Sequence, residues 1–142
     1  MHLISYKMNK ILQDIHKEKL IFYLKYNNVY LIDHNVYVLK GLLKFKYCLK
    51  NGRKVIFISN NYLNYLLKDL KNNNISFVLI RINYGYYKVF EYNALDNNYK
   101  FYYRKGKRVI KNELRIDRLL KKLEENNNLD NVKEAIKVVD FG

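Results

Sequence analysis

Short β-prone apolar runs alternate along this chain with stretches whose apolar residues recur every three or four positions. A chain patterned that way buries both kinds of segment by laying helices against a sheet. From Tyr6 to Lys17 the residues Met8, Ile11, Leu12 and Ile15 stand at helical spacing, which predicts a first amphipathic helix. Leu20 to Tyr26 is β-prone, Asn27-Asn28 is a turn pair that tolerates positive φ, and Val29 to Ile32 is β-prone again, so a hairpin is expected. Asp33 is placed to cap a helix with Val36, Leu39, Leu43 and Tyr47 on one stripe, ending before Asn51-Gly52. Next come a short buried strand at Val55 to Ile58 and a helix capped by Ser59 or Asn60, with Leu63, Leu66, Leu67 and Leu70 on one side. Asn72-Asn73-Asn74 stops that helix, and a strand follows at Ile75 to Ile82.

Tyr86 to Tyr92 alternates like a strand, and Tyr99 to Arg104 reads either as a strand or as the start of a helix. Val109 to Leu123 places Leu114, Leu119, Leu120 and Leu123 on a helix otherwise studded with basic residues; Asn126 to Asn128 separates it from a last short helix at Leu129 to Val139. The expected architecture is one compact mixed α/β (α+β) domain, a mixed sheet flanked by helices with a three-layer tendency. Residues 1–95 form its core and residues 96–142 a basic, largely helical C-terminal extension. A length of 142 residues with 49% hydrophobic and 15% aromatic content suits a single folding unit.

The lone cysteine, Cys48, lies on an apolar stripe and is expected to be a buried thiol; it allows no intramolecular disulfide. Lys7, Lys10, Asp14 and Lys17 interrupt the N-terminal apolar residues, and no later run approaches the ~18 apolar residues of a membrane span. A cytoplasmic protein that engages no membrane is expected. Lys, Asn, Ile and Tyr dominate while Pro and Trp are absent, a bias that an A+T-rich coding sequence generates by itself.

Lys and Arg number 27 against 13 Asp and Glu, a formal charge of +14, and a surface so charged attracts polyanions. The excess is densest from Lys100 to Lys122, where Lys100, Arg104, Lys105, Lys107, Arg108, Lys111, Arg115, Arg118, Lys121 and Lys122 face only Glu113 and Asp117. On a helix, Arg104, Lys107, Arg108, Lys111, Arg115 and Arg118 recur at three- or four-residue steps and can track a phosphate backbone. Tyr99, Phe101, Tyr102 and Tyr103 precede them; of these, Tyr102 and Tyr103 are the candidates for stacking on bases. Tyr84, Tyr86, Tyr87, Tyr92, Tyr99, Tyr102 and Tyr103 fall within twenty residues; alternate tyrosines pack a core from strands, and on another face the same residues suit a protein interface.

The run from Ile21 to Ile32, followed by Val36 to Leu43, Val55 to Ile58, the Leu-rich stretch Ser59 to Lys71 and Asn74 to Leu79, resembles the mismatch-recognition domain (domain I) of the MutS family. It is similar in particular to small stand-alone MutS-domain-I-like proteins of A+T-rich Firmicutes and their mobile elements. The resemblance implies a nucleic-acid-binding fold. The chain departs from the family's signature, with Asn27 in place of its Gly, Val29 in place of its base-stacking Phe and Leu31 in place of its base-bonding Glu; only Tyr30 stands. Valine has no π-face and leucine no hydrogen-bonding group, so mismatch reading is not expected.

Other chemistry is thinly represented. His2, His16 and His34 are scattered, the carboxylates form no two-metal cluster, and Gly41, Gly52, Gly85, Gly106 and Gly142 form no phosphate loop. Neither a metal nor a cofactor is expected. The first expectation is a non-enzymatic module that binds DNA or RNA through the basic segment. The alternative is a phage or mobile-element inhibitor or adaptor, of the anti-CRISPR kind, that binds a host protein or ribonucleoprotein. A third reading is a metal-independent ribonuclease using His34 and neighbouring tyrosines, by analogy with RNA-splicing endonucleases.

Overall fold

The computed structural model describes residues 2–126; the helix expected at Leu129 to Val139 lies outside them. Helix α1 (Tyr6–Ile15) starts where Ser5 caps it, the Ser5 hydroxyl accepting the Met8 N–H at 3.1 Å. Strands β1 (Leu20–Lys25) and β2 (Asn28–Ile32) form the expected hairpin. Its turn lies one residue earlier than the Asn pair. Lys25 pairs with Asn28, so Tyr26 takes the left-handed backbone at φ 54° and Asn28 belongs to the strand. Register decides this: it sends Val29 and Leu31 into one core and Tyr30 and Ile32 into the other, and a one-residue slip would exchange them.

Helix α2 (His34–Leu42) stops short of the expected boundary, because Leu43 is already extended. Strand β3 (Cys48–Lys50), which the helical stripe through Tyr47 concealed, turns at Asn51 and Gly52 into β4 (Arg53–Ile58). Asn51 and Gly52 have φ of 51° and 76°, the pair of left-handed conformers that a two-residue hairpin turn needs and that Asn-Gly adopts at least cost. Cys48 is consequently exposed on the edge of the sheet and not buried. Helix α3 (Asn60–Asn72) ends at the Asn run, with Asn74 at φ 54°. Strands β5 (Phe77–Arg81) and β6 (Tyr87–Tyr92) and the long helix α4 (Tyr99–Glu125) complete the chain. The ambiguous segment from Tyr99 is therefore helical.

The six strands form one mixed sheet in the order β3-β4-β2-β1-β5-β6, parallel at β1–β5 and antiparallel at the other contacts. One face carries α2, α3 and α4, and there Phe22, Leu31, Leu39, Leu66, Leu70 and Phe77 are all fully buried. Among the described residues, the other face carries α1 alone, over Ile21, Tyr23, Tyr30, Ile32 and Val78. Here polar groups join the packing. Asp33, expected as a helix cap, makes no capping bond; it accepts from the Arg53 guanidinium at 2.7 and 3.1 Å and from the Asn9 amide at 3.0 Å. A forked, charge-assisted pair outweighs one cap bond. Tyr23 donates to Asn9 at 2.6 Å, and Tyr30 accepts the Ile4 N–H at 2.9 Å. The N-terminal segment is thereby fixed across the sheet. Among the described residues no helix is long and apolar enough to cross a membrane.

Candidate nucleic-acid interface

Helix α4 packs on α2 by near-contact of two backbones. A Cβ on Gly106 would lie 1.6 Å from the carbonyl oxygen of Tyr37, and one on Gly41 would lie 2.1 Å from that of Tyr102. Any other residue at either position would push the helices apart. Tyr99 and Ile110 are buried on the same side of α4, and Lys40, buried on α2, donates to Glu113 at 2.7 Å and to the Phe45 carbonyl at 2.8 Å. The glycine crossing and the ion pair fix both the position and the rotation of α4.

That rotation sorts its charges. At about 100° per residue, Tyr99, Gly106, Ile110, Glu113, Asp117 and Glu124 share one side of α4. Arg104, Lys107, Arg108, Lys111, Arg115, Arg118 and Lys122 fall in an arc of about 100° on the opposite side. All seven are exposed, and among the described residues none has a carboxylate within ion-pair distance. From Arg104 to Lys122 no acidic residue enters the arc. The row spans about 27 Å of helix at about 1.5 Å per residue. One strand of a B-form duplex carries about eight phosphates over that length of its axis.

The other residues singled out from the sequence are placed differently. Lys100 lies at the start of the same arc but pairs with Glu18 at 2.8 Å. Lys105 turns to another flank, beside an apolar groove lined by Leu42, Leu43, Phe45, Val109 and Ile116. Tyr102 is half-buried, and its hydroxyl donates to the Asn73 side chain at 3.0 Å, which makes it a tie between α4 and the end of α3. Tyr103 stays beside the basic arc. Its hydroxyl lies 3.2 Å from His34 Nδ1, and the Lys107 ammonium sits 5.3 Å from its ring centre. Phe101, exposed, lines a shallow depression with Arg104, Lys107 and Arg108.

Two contributors escaped the sequence reading because they come from other elements. Tyr37 of α2 packs edge-on against Tyr103 at 5.6 Å, and Lys54 of β4 holds its ammonium 5.5 Å from the Tyr37 ring centre. Both line a recess against Lys107, Arg108 and Lys111. No local pattern marks them, since their meeting depends on the α2–α4 crossing.

The positions that would read a mismatch in the MutS-domain-I resemblance are core positions here, with Val29, Tyr30 and Leu31 buried in an interior strand. No family model matches the chain, and no curated protein matches it in sequence. The resemblance rests on the residues quoted for it alone.

Proposed function

We propose that this chain is a non-enzymatic nucleic-acid-binding module that grips a sugar-phosphate backbone along the outer arc of α4. One observation carries the reading: seven cations, Arg104, Lys107, Arg108, Lys111, Arg115, Arg118 and Lys122, stand in one row that no carboxylate of the described residues pairs with or interrupts. Cations released from solvent screening onto phosphates displace condensed counterions, and the affinity then depends steeply on salt. Fluorescence anisotropy with labelled DNA and RNA between 50 and 200 mM salt, roughly the range over which multi-phosphate contacts lose on the order of 10³-fold or more, tests it directly. Binding at low salt that weakens steeply is the expected result, and absence of binding at low salt overturns the proposal.

A second reading, a mobile-element adaptor or inhibitor that binds a host protein, draws on a different surface. Tyr84, Tyr86, Tyr87, Val89 and Phe90 are exposed at the β6 edge of the sheet, and tyrosine provides area and a polar tip at low entropic cost in protein interfaces. Under this reading a partner retained after nuclease treatment is lost on Tyr87→Asp and kept when Lys111, Arg115 and Arg118 are replaced by Gln. The opposite pattern removes it.

A further inference from the structure

We propose that the recess where α4, α2 and β4 meet holds one unpaired nucleotide, its base against Tyr37 and its phosphate among Lys54, Lys107 and Lys111, so that the strand gripped by α4 is single-stranded. This rests on the phosphate row proposed above and adds to it the kind of strand that is held. The recess measures about 340 Å³, the lower end of the range of small-ligand cavities. Its cations come from two elements, Lys54 from β4 and Lys107, Arg108 and Lys111 from α4; Ile110 and Leu114 give it an apolar wall, and among the described residues no carboxylate lines it.

The aromatic floor is braced. Tyr37 and Tyr103 meet at 79° with ring centres 5.6 Å apart, and the His34 ring lies 6.3 Å from the first and 5.9 Å from the second. The ammonium groups of Lys54 and Lys107 sit over these rings, at 5.5 and 5.3 Å from their centres. A nucleotide exchanges one contact for two: the ammonium moves to the phosphate, where charge is formal and not quadrupolar, and the base takes its place over the ring. A duplex cannot make this exchange, because its base faces are already stacked. Aromatic rings beside a basic track are the device by which single strands are held without sequence preference.

The test compares, by anisotropy with the whole chain, labelled oligothymidylate, oligouridylate, an abasic strand with the same number of phosphates, and a duplex. The base-bearing strands are expected to bind roughly five- to 150-fold more tightly than the abasic strand, the range that one stacked base supplies. Tyr37→Ala is expected to bring that ratio toward one, and Tyr37→Phe to keep it. Equal affinity for base-bearing and abasic strands overturns the proposal and leaves the phosphate row standing. Failure of every strand to bind overturns the phosphate row itself. The decisive ratio is measured on the unaltered protein, so it does not depend on whether a Tyr37 variant folds.

Discussion

The two sides of α4 are made from the same stretch of sequence and do opposite things. Toward the sheet, Tyr99, Gly106 and Ile110 are buried and Glu113 reaches the Lys40 ammonium. Toward water, Arg104, Lys107, Arg108, Lys111, Arg115, Arg118 and Lys122 stand without a carboxylate partner among the described residues. A coding bias toward Lys raises the number of cations but has no means of putting Glu113, Asp117 and Glu124 on one side and these seven cations on the other. The helical period does that. Placement, more than the formal charge of +14, is what points to a linear polyanion.

Substitutions on the two sides should separate stability from binding. The largest effect on folding is expected at the glycine crossing: Gly106→Ala puts a methyl group 1.6 Å from the Tyr37 carbonyl oxygen and should cost about 2–3 kcal/mol, as forced overpacking does. Thermal unfolding measures it. Gly41→Ala should cost a similar amount, and the pair should cost less than the sum, since the first substitution already separates the helices.

A smaller loss, about 1 kcal/mol, is expected for Glu113→Gln, because the carboxylate is half-exposed and Lys40 keeps its bond to the Phe45 carbonyl. Denaturant titration reads this change. The outer arc should give the least: replacing Lys111, Arg115 and Arg118 by Gln is expected to move stability by no more than about 0.5 kcal/mol per site. A large loss of stability there would mean that the arc is structural.

Acid should act at a third place, the corner where α1 ends against β6. Burial lowers the His16 pKa from its ordinary 6.5, so the unfolded chain takes up that proton more readily and stability falls as pH drops below that value. Glu91 is held at about 2, against an ordinary 4.5, first by its hydrogen bonds to Lys19 and Lys88. Its contribution is complete above the unfolded value and disappears as pH falls from about 4.5 toward 2. Both groups make the fold weaker in acid. Unfolding midpoints measured across pH should decline in these two windows, and Glu91→Gln should remove the lower one.

Much of this was legible in the sequence where a single period governs a segment. Four helical stripes and the strands at Leu20, Val29, Val55, Ile75 and Tyr86 were marked by apolar spacing, and the basic arc of α4 by steps of three and four. What stayed hidden depends on partners distant in the chain. Tyr102 bonds to Asn73, 29 positions away, and Lys100 is taken up by Glu18. Gly41 and Gly106, far apart in sequence, meet at one helix crossing. Leu43 and Tyr47 fell at helical spacing by coincidence, which hid β3 and misplaced Cys48; the Asn51-Gly52 turn was the stronger signal there. Asp33 sits at a capping position, but its carboxylate is committed to Arg53 instead.

The most direct test of the account is the slope of log affinity for a single strand against log salt, measured for two variants of equal charge. One replaces Lys111, Arg115 and Arg118 by Gln; the other replaces Lys7, Lys10 and Lys17, exposed around α1 on the opposite face of the sheet. The first is expected to flatten the slope by about 2, the loss of about three phosphate contacts, and the second to leave it where it was. Equal flattening by both would show that net charge alone attracts the strand, and would contradict the assignment of binding to the outer arc of α4.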